Sequence, residues 1–314
     1  MAVTPRDTKS TIAHPGELVI NWHLTEACNY GCRYCYSKWH TDGTGKELVR
    51  NPEAGAALLA EIYRQFAPDN PRNHARLGMK WRSLRLSLAG GEPLLYDREV
   101  IRIAAQAREI GFNVSLITNG SRLTQPLMAE LAPQLSVLGL SLDSPQPSTN
   151  REIGRTDRQS HVISLPELLP IIELARKLNP DLRLKINTVV NALNCAEDMT
   201  PLIRQLAPDK WKVLRMLPTV SSDLAISDHE FADFVNRHPA LNHIISAEDN
   251  CDMVESYIMI DPHGRFFQNS LSGCGYRYSD AILDVGAERA FRQVSWLPDR
   301  FQARYKVDRS ESLA

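Results

Sequence analysis

Three cysteines lie close together in the sequence and could hold a metal centre. Cys28, Cys32 and Cys35 form a Cys-x3-Cys-x2-Cys pattern directly after an apolar segment. Cysteine thiolates are the ligands of iron–sulfur clusters, and three of them on a four-iron cluster leave one iron open to bind a cofactor. The alternative is a structural zinc site, in which His23 or His40 would have to complete the tetrahedron. The spacing predicts metal chemistry and favours iron–sulfur over zinc.

The composition is that of a globular protein with almost no net charge. The chain has 314 residues, with 36 Lys plus Arg against 37 Asp plus Glu, a formal net charge of −1. Such a chain has no broad basic surface for nucleic acid or a membrane, so an anion site must be local. We see no secretory signal and no run near the ~18 to 20 apolar residues of a membrane span. We therefore expect a cytoplasmic protein, in which clustered cysteines serve metal binding or catalysis.

Short apolar segments alternate with longer helical patterns, and the alternation repeats six times. This rhythm predicts β–α units around a parallel sheet. The predicted strands span residues 18–24, 84–88, 113–117, 137–142, 183–189 and 211–217. The predicted helices span residues 53–66, 97–110, 125–131, 166–178 and 198–206. A further helix is predicted to begin at a capping box formed by Ser227 and Glu230.

These elements divide the chain into four parts. We expect a flexible segment over residues 1–17, a barrel over residues 18–240, an extension that covers the active site over residues 241–305, and a frayed tail over residues 306–314. Two strands are predicted within the extension, at residues 256–260 and 265–268, on either side of a turn.

Polar and charged side chains recur on the predicted strands. Alternate residues of a strand share a face. The inward-facing candidates are Asn21, His23 and Thr25 on the first strand, Arg85 and Ser87 on the second, Lys185 and Asn187 on the fifth, and Lys210 and Lys212 on the sixth. Any one of them could be solvated at an edge or satisfied in a core. Together, and with Arg155 as a further candidate, they predict a polar lumen that binds an anionic substrate.

The cysteine loop resembles that of the radical S-adenosyl-L-methionine (SAM) superfamily, because the aromatic Tyr34 precedes the last cysteine. A second motif of that superfamily, Gly90-Gly91-Glu92-Pro93, ends the second predicted strand. The resemblance implies an α/β fold, a partial (β/α)6 TIM-like barrel of the radical SAM type with a C-terminal extension. It also implies that the glycine motif grips the amino group of SAM, where glycines let backbone approach a ligand closely. Alone, this motif could be a strand-ending turn.

The other three cysteines are Cys195, Cys251 and Cys274, and they are far apart in the sequence. Peptide-modifying members of the superfamily bind an additional cluster through a Gly-x4-Cys element. Here Gly264 is followed five residues later by Asn269. We therefore predict no second cluster and treat these cysteines as small buried residues or bystanders.

Further motifs resemble one family of the superfamily, the viperins. They are Asn21-Trp22-His23-Leu24-Thr25, Cys28-Asn29-Tyr30, Ser141-Leu142-Asp143-Ser144, Gly154-Arg155, Lys185-Ile186-Asn187, Glu197-Asp198-Met199-Thr200, Trp211-Lys212-Val213, Ile226-Ser227-Asp228 and Ile282-Leu283-Asp284-Val285-Gly286. The resemblance spans about residues 18–290. The chain lacks the long N-terminal amphipathic helix of the vertebrate proteins and so resembles the short microbial form. Residues 216–225 and 270–280 look unlike the vertebrate segments, and Arg85 and Lys210 reverse the expected choice of Lys and Arg.

The resemblance implies a radical SAM dehydratase that converts a ribonucleoside triphosphate to its 3'-deoxy-3',4'-didehydro analogue, an antiviral chain terminator. CTP is the substrate of the best-known members, and some microbial relatives use UTP or GTP. The implied cofactors are a 4Fe-4S cluster and SAM, and the implied partners are the nucleotide and a flavodoxin- or ferredoxin-type electron donor. We expect a monomer.

The resemblance also assigns residues to roles. The cluster ligands are Cys28, Cys32 and Cys35. The SAM-binding set is Tyr34, Gly90, Gly91, Glu92, Asn119 and Ser141. The substrate-binding set is Arg85, Ser87, Arg155, Lys185, Asn187, Lys210 and Lys212. The catalytic set is Asn21 and His23, near the reacting ribose. The resemblance does not assign the proton donor for the departing hydroxyl, and Tyr257 is our own candidate for it.

Two other functions stay open at this point. A radical SAM enzyme could instead modify a peptide or another small anionic substrate, although no peptide-binding domain or extra cluster ligand set is visible. A non-catalytic zinc-binding protein is the second alternative, and metal analysis would separate it from an iron–sulfur enzyme.

Overall fold

The computed structural model describes residues 16–35, 37, 46–218, 221–269 and 275–305. The strands of this part are β1 (Glu17–His23), β2 (Ser83–Ala89), β3 (Asn113–Thr118), β4 (Val137–Ser141), β5 (Arg183–Val190), β6 (Lys210–Arg215), β7 (Ile245–Glu248), β8 (Ile258–Ile260), β9 (Arg265–Asn269) and β10 (Tyr276–Ala281). The α-helices are α1 (Pro52–Phe66), α2 (Pro71–Leu77), α3 (Asp97–Ile110), α4 (Gln125–Leu131), α5 (Pro147–Ile153), α6 (Leu165–Leu178), α7 (Thr200–Leu206), α8 (Asp228–Asn236), α9 (Asn250–Met253), α10 (Ile282–Val285), α11 (Ala287–Phe291) and α12 (Pro298–Tyr305).

All these strands belong to a single sheet, in the order β10-β9-β8-β1-β2-β3-β4-β5-β6-β7. Every neighbouring pair from β1 to β7 is parallel, and β8 runs parallel to β1. β9 and β10 complete the sheet as antiparallel strands. From β1 to β7, the order of the strands in the sheet is the same as their order in the chain. Successive β–α units produce this order. Because β7 and β10 are edges, the sheet is open, which confirms the predicted partial barrel.

The residues after 240 are distributed over both edges of this sheet. β7 pairs with β6, whereas β8, β9 and β10 continue the sheet beyond β1. Of the two strands predicted here, residues 265–268 agree with β9, but the other begins later than predicted, so that Tyr257 precedes β8. β7 and β10 were not predicted: β7 has four residues and only two apolar ones, and the apolar alternation of β10 is limited to its two tyrosines. The four-part division of the chain stays a prediction.

The two faces of the sheet have different chemistry. On β1, Leu18, Ile20 and Trp22 are fully buried in the main apolar core. Because strand side chains alternate, Asn21 and His23 face the opposite side, which is the lumen of the barrel. The same alternation holds on the neighbouring strands. The sheet therefore buries its apolar face under the helices and turns its polar face inward.

Several helices begin at a side-chain cap, among them α1, α4 and α8. The side chain of Asn51 accepts a hydrogen bond from Ala54 N at the start of α1. The predicted capping box at α8 is confirmed: the Ser227 hydroxyl accepts from Glu230 N at 3.3 Å, and the Glu230 carboxylate accepts from Ser227 N at 2.8 Å. Within the described part of the chain, no helix combines the length and the apolar character that a membrane crossing requires.

The capping box predicts a measurable stability effect. Ser227→Ala should lower the free energy of unfolding by about 1 kcal/mol, since it leaves N–H groups of α8 without an acceptor. Glu230→Ala breaks the same reciprocal pair, so the double variant should lose less than the sum of the two single losses. Urea unfolding measures both. Glu173→Ala, at an exposed position on α6, is the matched control and should lose nothing; fully additive losses would contradict a reciprocal cap.

Candidate active site

The cysteine loop begins directly after the carboxyl end of β1. Gly31 N donates to Gly154 O at 3.0 Å, and Arg33 N donates to Ile153 O at 2.9 Å, so the loop is fixed on the segment that follows α5. A Cβ at Gly154 would overlap the carbonyl of Gly31, and Gly154 also has a φ of +88°. This packing explains a glycine before Arg155.

The three cysteines provide the donor chemistry of an iron–sulfur site. Cys28 is exposed, and Cys32 and Cys35 are half-buried. Burial raises the pKa of the Cys28 thiol and raises that of Cys32 to about 12. The thiolate form therefore needs a positively charged partner, which a metal centre supplies as it displaces the protons. Asn119 Nδ2 lies 3.9 Å from Cys28 Sγ, and Arg155 Nη1 lies 3.9 Å from Cys32 Sγ. Each of these two sulfurs therefore has a polar donor beside it.

The zinc alternative would require His23 or His40 as a fourth ligand beside the three cysteines. The ring of His23 packs edge-on against Phe267, with centroids 5.2 Å apart. His40 lies outside the described residues.

Gly90 and Gly91 are glycines because their backbone packs against the cysteine loop. Gly91 N donates to Thr25 O at 2.7 Å. A Cβ at Gly91 would overlap the carbonyl of Ala27, and a Cβ at Gly90, where φ is +136°, would lie 2.7 Å from Thr25 O. The sequence prediction attributed these glycines to a close ligand approach. The structure gives a different reason, which is contact with the backbone immediately before Cys28.

Glu92 lies at the centre of a buried hydrogen-bond network. Its carboxylate accepts from Thr118 Oγ1 at 2.7 Å, from Asn119 N at 2.8 Å and from Leu94 N at 3.0 Å. Burial raises its pKa, and these donors act in the opposite direction. Asn119 Nδ2 in turn donates to Asn29 Oδ1 at 3.0 Å. A carboxylate with no exposed surface acts on the site through Asn119, which reaches the cysteine loop.

Arg155 belongs to the cysteine loop and not to the lysine group. Its Nη1 lies 3.5 Å from Asp143 Oδ2 and donates to the Tyr34 hydroxyl at 3.1 Å. Its Nη2 donates to the carbonyl of Ser141, and Tyr34 donates to Asp143. Burial, followed by Asp143, holds the pKa of Tyr34 well above its usual range. The sequence analysis placed Arg155 among the lumen cations, whereas the structure pairs it with Asp143. Asp143 was not selected as a site residue from the sequence.

The lysines of β5 and β6 line the lumen. Ser141, Asn187 and Lys212 are register partners, and the row beneath contains Gly139 and Lys185 paired with Lys210. Within the described residues, no hydrogen bond or ion pair reaches Lys185. Burial, and then the neighbouring cations Lys212 and Arg85, hold its pKa well below the usual value. The lumen therefore presents more positive charge here than its own carboxylates balance.

Lys212 contacts two residues, Glu248 on β7 and Tyr257 just before β8. Its Nζ lies 2.8 Å from Glu248 Oε1 and 2.5 Å from the Tyr257 hydroxyl. Tyr257 also donates to Glu248, and Arg304 Nε donates to Glu248 at 3.2 Å. Burial lowers the pKa of Lys212 to about 8, while the two cations, against burial, hold that of Glu248 at about 2. Glu248 and Arg304 were missed because neither lies on a predicted element.

The remaining predicted residues lie on β1 and β2. Arg85 pairs with Glu17 at 3.1 Å, and Asn21 Nδ2 donates to Ile258 O at 3.3 Å. Ser87 is buried beside Asn21 in the strand register. His23 is only 3% exposed, and burial lowers its pKa to about 3. Its imidazole is therefore neutral near pH 7.

The cysteines outside the loop are separate from this site. Cys195 is half-buried and packs against the main core. Cys251 is exposed at the short helix α9, so of the two predicted alternatives, a buried residue or a bystander, the second applies to it. Cys274 lies outside the described residues.

Comparison with known proteins identifies the family. Residues 22–190 match the family model described as "Radical SAM superfamily". An "S-adenosylmethionine-dependent nucleotide dehydratase" of Psychrobacter lutiphocae is 41% identical over 92% of this chain and 95% of its own length. One of Pseudoalteromonas ulvae is 39% identical over 92% of this chain and 93% of its length. The chain belongs to the viperin-like nucleotide dehydratases of the radical SAM superfamily.

A solved structure agrees with this family at the level of the fold. The structure of native anSMEcpe with bound AdoMet superimposes with a TM-score of 0.63, covering 91% of this chain and 82% of that one at 13% identity. As a viperin-like radical SAM enzyme, the protein uses SAM and a 4Fe-4S cluster. The donor set of the cysteine loop, and the polar donors beside its sulfurs, fit these cofactors.

The glycine packing generates a prediction. Gly91→Ala should displace the backbone at Ala27 and so reduce iron bound after anaerobic reconstitution, well below the roughly four irons per chain of one intact cluster. Iron analysis and the absorbance of the cluster measure this. Gly55→Ala is the matched control, because its new Cβ would meet nothing closer than 3.7 Å. Full iron content with selectively weakened SAM binding would instead support the ligand-approach explanation.

Proposed function

We propose that this nucleotide dehydratase acts on a ribonucleoside triphosphate and forms its 3'-deoxy-3',4'-didehydro analogue. CTP is the first candidate, with UTP and GTP as others, and the product would act as an antiviral chain terminator. The observation that carries the proposal is Lys185, a lysine of the lumen whose side chain has no hydrogen bond or ion pair with any residue that the structure describes.

The charge balance of the lumen supports a polyanionic substrate. Burial first, and then the nearby cations Lys212 and Arg85, lower the pKa of Lys185, while Glu248 acts in the opposite direction. A Cβ at Gly139 would lie 3.4 Å from Lys185 Cε, so the glycine leaves room for this side chain to extend into the lumen. Bound phosphates would supply the missing negative charge and form charge-assisted hydrogen bonds. Arg85, Lys210 and Asn187 would add contacts from neighbouring strands.

The opposite end of the lumen would hold the cofactors. In the proposal Cys28, Cys32 and Cys35 bind the cluster. SAM would lie against Gly90, Gly91, Glu92, Asn119 and Ser141. Tyr34 and the Arg155–Asp143 pair would hold the cysteine loop in position. When bound, the cluster and SAM supply a radical that removes hydrogen from C4' of the ribose. A flavodoxin- or ferredoxin-type protein would supply electrons to a monomeric enzyme.

The chain itself would orient the ribose and move a proton. Asn21 and His23 lie on the lumen face of β1, two strand positions apart, just before the cysteine loop. A neutral His23 can accept or donate a hydrogen bond without adding charge near the reacting carbon. The Tyr257 hydroxyl is held between Lys212 and Glu248, which makes it the candidate that protonates the departing 3'-hydroxyl. The hydrogen from C4' would pass to the SAM-derived radical, the 3'-hydroxyl would leave as water with the added proton, and one further electron from the donor protein would complete the 3',4' double bond.

The lysines provide the direct test. Lys185→Ala and Lys212→Ala should each weaken nucleotide affinity by about thirtyfold or more, because loss of one charged partner in a water-poor site typically costs about 2 to 5 kcal/mol. Formation of 5'-deoxyadenosine, measured with each of the four ribonucleoside triphosphates and with the nucleosides, reports this loss. Iron content and SAM binding should be unchanged, and the exposed Lys177→Ala is the matched control. Equal stimulation by nucleoside and triphosphate would reject a triphosphate substrate.

The pKa of Lys212 predicts a pH dependence of nucleotide binding. A lysine with a pKa of about 8 is cationic below that pH and neutral above it. The KM for the nucleotide should therefore rise as pH increases through this value, while the KM for SAM changes little. Lys212→Arg keeps its charge and should move the rise to higher pH. The same rise in the wild type and in this variant would assign the titration to another group.

A further inference from the structure

Three aromatic side chains form a continuous surface on the strands beyond β1. Phe267 contacts Tyr276 at a centroid distance of 5.4 Å and Tyr278 at 6.2 Å, and the two tyrosine rings are 6.3 Å apart. Phe267 is fully buried, whereas both tyrosines are half-buried. We refer to Phe267, Tyr276 and Tyr278 as the aromatic wall.

The strand register places the aromatic wall on the lumen side. Phe267 pairs with Met259, which pairs with Asn21, so the three share the face that the substrate would occupy. Tyr278 pairs with Phe267 on the next strand. The edge-on contact between Phe267 and His23 brings the wall to the end of β1. The wall therefore borders the residues proposed to lie near the ribose.

The aromatic wall also meets the cationic part of the lumen. Tyr257 packs against the cluster of Met259 and Phe267, and its hydroxyl contacts Lys212. A single residue thus connects the aromatic surface with the cations proposed to hold phosphate. This order of surfaces matches the order of groups in a nucleotide, with phosphates at one end and a flat base at the other.

The wall is separate from the apolar core beneath the sheet. The neighbouring Phe266 points to the other face, where it packs against Phe66 and Phe291. Phe266 therefore anchors β9 in the core, and Phe267 is not needed for this. On β10, the tyrosines alternate with Arg277, which is exposed, and Ser279, which is buried. Tyrosine supplies a flat apolar face and a polar tip, which suits a surface that contacts a ligand.

We propose that Tyr276 and Tyr278 of the aromatic wall, packed against the buried Phe267, bind the nucleobase of the substrate by stacking and determine the preference among bases. This inference rests on the proposed ribonucleoside triphosphate function and names the part of the site that recognises the base. Aromatic rings stack on any base, and the tyrosine hydroxyls can donate to or accept from its polar edge.

The test compares probes with and without a base. Tyr278→Leu and Tyr276→Leu should weaken binding of the preferred ribonucleoside triphosphate about tenfold or more, as expected for loss of a stacking partner. Binding of ribose 5-triphosphate, which has no base, should be unchanged in both variants. Tyr278→Phe retains the ring and should keep most of the affinity, while changing the ranking of the four nucleotides. Tyr63→Leu, which removes an aromatic contact with Phe112 outside the lumen, is the control.

Other outcomes separate the two proposals. Equal losses for the nucleotide and for ribose 5-triphosphate would overturn the base-binding role, because the wall would then only support the site. Unchanged nucleotide affinity and ranking in the leucine variants would overturn it as well. If the wild-type enzyme bound none of the triphosphates, the proposed substrate class itself would fail. Iron content and SAM binding, measured on each variant, establish that the cofactor end is intact.

Discussion

The lateral register of the parallel strands is the constraint on which the site depends. Residues paired across parallel strands share a face, so a polar position on one strand is extended by its partners on the next. Ser141, Asn187 and Lys212 form such a row across β4, β5 and β6. A shift of one residue in any of these pairs would turn a lysine into the apolar core, where an unpaired charge is very costly. The strand register therefore determines both where the cations lie and which side chains fill the core.

The charges at the two ends of the lumen differ in how completely they are paired. Beside the cysteine loop, Arg155 is paired with Asp143 and hydrogen-bonded to Tyr34, so this guanidinium has a structural role before any ligand arrives. The Lys185 side chain, among the described residues, has no hydrogen bond or ion pair, and three of its four electrostatic neighbours are cations, Glu248 being the fourth. Buried pairs fix the shape of a protein, whereas a cation left without a carboxylate favours binding of an anion from solution.

The sequence predicted the features that depend on a repeating pattern of nearby residues. Alternation predicted the six strands from β1 to β6 and the inward faces of Lys185 and Lys212, and cap spacing predicted the start of α8. It was uninformative where a contact depends on distant segments. Glu248 lies on a short polar strand, and only the folded chain brings Arg304 to it. Arg155 lies in a loop, where no period defines side-chain direction, so its pairing with Asp143 could not be predicted.

The open edge of the sheet has a consequence for how such enzymes diversify. The aromatic wall stands on β9 and β10, and β10 has a neighbouring strand on one side only within the described part of the chain. Side chains there can change in size without disturbing the hydrogen bonds that hold β1 to β6 together. The two tyrosines on β10 are separated from β1 by β8 and β9, so substitutions there leave the strand that leads into the cysteine loop unchanged. Base preference can then vary at the margin of the sheet while Phe267, which touches His23, keeps its position.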